Sequence, residues 1–170
     1  ECGGDVPFKT PSTEDAYNLS IPRTDKQTIY DFIIKEMYGS AEDLKSAQEL
    51  NYLPGRVSKS AAWGMLARVY MFRAGEPKRD KEVGLANSSA EITEYFKKAS
   101  YYAQLVKNEG HSLTAKYWDF FIDICSDKYN TVLNKDGAKA NESIWEVEFA
   151  GNRSTDVRAE GRIGNIIGIQ

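Results

Sequence analysis

The residues that could carry chemistry are few. Glu146 and Glu148 lie two apart in 143–149, where alternating apolar and polar residues predict a strand. Two steps of strand rise put their carboxylates about 7 Å apart on one face. Inverting glycosidases use carboxylate pairs at such separations. Neighbouring glutamates on a strand are more commonly just solvated, and that reading is preferred here. His111-Ser112 has no Gly-x-Ser-x-Gly setting to activate a serine. Cys2 and Cys125, with one histidine in the chain, cannot complete a Cys/His zinc site. Gly161-Arg162-Ile163-Gly164 is too short for a phosphate-binding fingerprint. The expectation is a non-enzyme without catalytic residues, cofactor or metal.

Binding residues are a better prospect. The chain holds ten Tyr, seven Phe and three Trp, enough to fill a core and also to offer flat rings to a ligand. Trp118 is the tryptophan least constrained by its neighbours and the candidate for stacking. Asn152, Arg153 and Arg162, with Arg158 and Asn165, lie in a polar tail and could donate hydrogen bonds to hydroxyl groups. A net charge of −3 supplies no basic field for nucleic acid or anionic lipid. No apolar run reaches the roughly 18 residues of a membrane span. A lipoprotein anchor at Cys2 would need an apolar segment just upstream, and Cys2 is not expected to be one.

These candidates need elements to hold them. With 41% apolar and 28% charged residues in 170, the chain has the make-up of one globular unit. Pro7, Pro11 and Pro22 mark an extended lead-in. Ile29, Phe32, Ile33, Met37, Leu44 and Ala47 predict a helix over 27–47, capped by Thr24 or Asp25. Pro54-Gly55 predicts a turn. The helix over 58–74 is the clearest, with Met65, Leu66, Val69, Tyr70 and Phe72 among small residues. Residues 75–90 read as a loop inserted between packed helices. Ser88 and Glu91 have capping-box spacing ahead of a helix over 91–109, closed by Gly110. Residues 117–125 predict a short aromatic helix, and 150–170 a loop.

One motif sets the architecture. Trp63-x-x-Leu66-Ala67-x-x-Tyr70 matches the first helix of a tetratricopeptide repeat. Large side chains fill the gap to the partner helix, and the small residue lets the backbones close. Ala99 and Ala103 would line the facing surface. Trp63, Leu66, Ala67, Tyr70, Ala99 and Ala103 are therefore the expected core, and Trp145, alternating with Val147 and Phe149, is expected to be buried as well. The predicted fold class is mostly α, with tetratricopeptide-like helix pairs, long loops and one or two short strands.

Several segments, in order, resemble the middle portion of SusD/RagB-type proteins. They are Gly4-Asp5-Val6-Pro7-Phe8, Pro22-Arg23-Thr24, Tyr30-Asp31-Phe32-Ile33 and Asp43-Leu44-Lys45-Ser46-Ala47. Gly55-Arg56-Val57-Ser58-Lys59-Ser60-Ala61-Ala62, leading into Leu66-Ala67-Arg68-Val69-Tyr70-Met71, is the most specific. Tyr95-Phe96-Lys97-Lys98-Ala99, Tyr117 with Phe120-Phe121, and Asn141-Glu142-Ser143-Ile144-Trp145-Glu146-Val147 complete the set. The resemblance implies a single helical fragment, 1–170, of a larger surface lipoprotein of Bacteroidetes-type bacteria. It implies capture of an oligosaccharide at the outer membrane and handover to a TonB-dependent, SusC-like transporter. The membrane would be reached only through a lipid anchor outside this chain. Peptide capture, or a protein–protein adaptor of tetratricopeptide type, is the alternative.

Overall fold

Asp25 opens the first helix: its carboxylate accepts hydrogen bonds from the backbone N–H groups of Gln27 and Thr28. A computed structural model describes residues 5–12, 17, 20–75, 87–125 and 135–146. Among these residues four helices follow one another: α1 (Lys26–Asp43), α2 (Lys59–Ala74), α3 (Ser89–Asn108) and α4 (Tyr117–Cys125). Ahead of them, β1 (Val6–Pro7) and β2 (Arg23–Thr24) pair antiparallel, with Val6 opposite Thr24. The described fold is mostly helical.

Side-chain caps start α2 and α3. Ser58 accepts from the Ala61 N–H, and Ser88 and Glu91 form a reciprocal capping box, as their spacing predicts. Glu91 is held below the ordinary carboxylate range, chiefly by the hydrogen bond from the Ser88 side chain. Beyond α3, Gly110 adopts φ +87°, a left-handed conformation that glycine reaches without strain. α1 does not continue to residue 47. Leu44 is extended, and the Ala47 N–H donates to the Glu109 carboxylate at 2.8 Å instead of continuing the helix.

The core lies where α2 meets α3. Leu66, Ala67 and Tyr102 form its centre, with Ile34, Met37, Trp63, Tyr70 and Leu105 packed around them. Leu66 is fully buried, at 0% exposure. Gly64 faces Val106 at one end of this pair and Arg73 lies over the Tyr95 ring at the other, so the two helices run antiparallel. Tyr70 and Tyr102 stack between those ends, ring centroids 5.7 Å apart and planes at 11°. Burial pushes both phenols above the ordinary tyrosine range.

Ala99 is buried in this seam, but Ala103 is exposed, contrary to expectation. Both Tyr102 and Ala103 have helical spacing from Ala99. Tyr102 takes the inward position because its ring fills the volume beside Tyr70, which a methyl group would leave open. Trp145 is also exposed rather than buried, and 143–146 forms no strand. Val147 and Phe149, its expected companions, lie outside the described residues, as does 76–86 of the expected 75–90 insertion.

α1 completes a three-helix arrangement. It is tied to α2 through Arg73, whose Nη1 donates to Asp31 at 2.7 Å and whose Nε donates to Gln27 at 3.1 Å. Asn87 donates to the Arg73 carbonyl oxygen at 2.7 Å and accepts from Gln27 at 3.2 Å. The entry to α3 is thereby fastened to the exit of α2.

Candidate aromatic binding face on α4

Residues 111–116 lead from α3 into α4. Thr114 fixes this approach: its N–H and its hydroxyl both donate to the Glu142 carboxylate at 2.7 Å. His111 and Ser112 bond to 140–141 just before it. The sequence Tyr-Trp-Asp-Phe-Phe-Ile-Asp-Ile-Cys then makes a nine-residue helix. A helix this short is marginal in water without packing. Yet among the described residues α4 shares no extensive contact with another helix or strand.

Its outer face is a cluster of rings. Trp118 is 71% exposed and Tyr117 68% exposed, with Phe121 and Leu113 also open to solvent. The Tyr117 and Trp118 centroids are 5.5 Å apart with planes at 78°. Tyr117 and Phe121 are 5.1 Å apart at 59°. Phe120 meets Phe121 edge-to-face. Each ring is braced by its neighbour through quadrupole-favoured geometry, which reduces the freedom lost when a ligand lands on it. Such a surface can cover apolar faces of a small ligand while Lys116 and Asp119 beside it offer a donor and an acceptor.

The structure thus places Trp118 in the open, where stacking requires it. Tyr117, Phe121 and Leu113 join it, although Trp118 was the one aromatic residue that the sequence offered for binding. The density of aromatics over 117–121 was the available signal. Asn152, Arg153 and Arg162 lie outside the described residues, as do Arg158 and Asn165. Trp63 and Tyr70 are half-buried and pack against the core.

Of the Glu146–Glu148 pair, only Glu146 lies among the described residues. Glu146 has one oxygen buried without a protein partner, its N–H donates to the Pro54 carbonyl at 2.9 Å, and Glu148 lies outside them. No group of three or more His, Cys, Asp or Glu among the described residues is placed to hold a metal ion. No described helix is long and apolar enough to cross a membrane. No family model, curated protein or solved structure matches the chain.

Proposed function

We propose that this chain is a SusD/RagB-type capture module that binds an oligosaccharide without bond chemistry. In this reading it is part of a lipid-anchored protein at the outer-membrane surface. It hands its cargo to a TonB-dependent transporter, and its α2–α3 pair is a tetratricopeptide-like scaffold. The observation that carries the reading is the exposed ring cluster Tyr117–Trp118–Phe121 on α4. Exposed, mutually braced rings suit the apolar faces of sugars, and neutral sugars need no charged counterpart. The order of sequence segments supports the family assignment.

The test is calorimetric titration of neutral oligosaccharides into the full chain and into Trp118→Ala. Binding that is lost in the variant, and that survives raised salt, supports capture on α4. Sugar binding that is unchanged in Trp118→Ala removes α4 as the site. A second reading, a protein adaptor, is favoured by Met71, Phe72 and Phe96, which leave apolar surface exposed on α2 and α3. Binding to a peptide panel with no binding to sugars would establish that reading instead.

A further inference from the structure

Residues 140–142 bond to 111–114, and Glu146 bonds to the turn at Pro54 that precedes α2. The Ser112 N–H and hydroxyl both donate to the Ala140 carbonyl, at 3.2 and 2.8 Å. Thr114 makes its two bonds to Glu142. The Glu146 N–H reaches the Pro54 carbonyl at the far end. His111 Nδ1 lies 2.8 Å from the Asn141 carbonyl oxygen. A carbonyl only accepts, so Nδ1 bears the proton in this contact.

This seam is poorly satisfied. Four buried side-chain polar atoms among the described residues have no protein hydrogen-bond partner, and three belong here: His111 Nε2, Asn141 Oδ1 and Glu146 Oε1. The fourth, Ser60 Oγ, is in α2. Asn141 also sits at φ +46°, a conformation that favours glycine. Each unpaired group loses its water on docking and gains nothing in return. The seam is therefore held by good bonds and opposed by several local penalties, whereas the α2–α3 core is tightly closed around Leu66.

We propose that 139–146 is a releasable strap that holds α4 in register with the helical core. Thr114 is only three residues from the start of α4, and α4 has no extensive contact with another described element to keep it in place. When the strap lifts, the aromatic face loses its fixed orientation. The strap follows from the seam alone, but its consequence for a ligand rests on the capture reading.

Hydrogen exchange on the full chain tests it. The amides of Ser112, Thr114 and Glu146 should exchange as one group, well ahead of Leu66 and Tyr102 in the core. Asn141→Gly and Glu146→Met each remove an unpaired oxygen, so each should slow exchange of the whole group by about tenfold. Protection that is unchanged or lowered in both variants would overturn the proposal, because the oxygens would then be satisfied where they lie. Oligosaccharide affinity provides a separate arm. Asn141→Gly should shift affinity, while Trp118→Ala should abolish it and leave strap exchange unaltered. If no variant binds sugar but the exchange results hold, the capture reading fails and the strap stands.

Discussion

The Tyr52 hydroxyl donates a 2.8 Å hydrogen bond to the carbonyl oxygen of Glu109, the residue that caps the end of α3. The ring also lies edge-to-face with His111, centroids 5.4 Å apart. Two residues in sequence, Asn51 and Tyr52, adopt left-handed φ values of 52° and 53° to bring that hydroxyl into place. The Tyr52 N–H donates to the Ala47 carbonyl, closing the turn that carries it. A strained turn between α1 and α2 is thus fastened to the end of α3 and to the start of the segment that leads to α4.

Tyr52→Phe should cost about 1 kcal/mol, the usual net value of one such bond. Gly110→Ala should cost about 1–3 kcal/mol, because φ +87° is unfavourable for alanine. Its methyl carbon would also sit 2.7 Å from the Tyr52 hydroxyl. The double variant is the sharper measurement. Removing the hydroxyl relieves the close contact, so urea denaturation should show the pair costing less than the sum of the singles. Simple additivity would mean that the tyrosine moves aside freely.

The seam between α2 and α3 can be probed from both sides. Leu66→Ala should destabilise by about 2–5 kcal/mol, since the site is fully buried and enclosed by rings that cannot collapse into the gap. Ala103→Lys should stay within about 0.5 kcal/mol, as expected for an exposed helix position. A large penalty at Ala103 in a denaturation series would restore it to the seam.

The starts of α1 and α3 were legible because their signals are local: Asp25 and the Ser88–Glu91 pair each bond to backbone within three residues. The end of α1 was not. Apolar spacing continues through Leu44 to Ala47, but the chain leaves the helix to meet Glu109, a partner 62 residues away. Periodicity placed α3 correctly and still could not choose between Tyr102 and Ala103, because a step of three or four keeps either on the inner face. For 143–146 the alternation is real, yet the backbone bond shown there runs from Glu146 to the Pro54 carbonyl rather than into a strand ladder. At the candidate site, the aromatic run was visible in the sequence. Its exposure was not, since exposure depends on what fails to cover α4.

Arg73 joins three helices, and its replacement should show how. The guanidinium is largely buried, bonds to Gln27 and Asp31, and lies 4.6 Å from the centre of the Tyr95 ring. Lysine cannot reproduce a planar fork that bonds in two directions while stacking on a ring. Arg73→Lys should therefore cost about 1–3 kcal/mol. Asp31→Asn should cost under about 1 kcal/mol, because Asp31 is 69% exposed and water screens the pair. Equal losses in chemical denaturation would move the weight of the node from the stack and the Gln27 bond to the ion pair.

The capping box of α3 makes stability depend on pH in a definite direction. Ser88 donates from its backbone N–H and its hydroxyl to the Glu91 carboxylate, at 2.8 and 2.7 Å. Both bonds favour the charged form, so the folded chain holds Glu91 below its ordinary value of 4.5. A lowered folded pKa means that the unfolded chain takes up the proton first. The contribution is present in full above that ordinary value and disappears as pH falls through the lowered one. The substitution Glu91→Gln keeps the capping geometry but removes the titrating group. Denaturation midpoints should therefore favour the native chain over Glu91→Gln at neutral pH, and the difference should close as pH falls below 4.5. Glu49, bonded by Ser46, and Glu94, paired with Lys97, are lowered too and titrate identically in both chains, so they cancel in the comparison. A gap between the two chains that stays constant across this range would show that the charge of Glu91 contributes nothing to the cap.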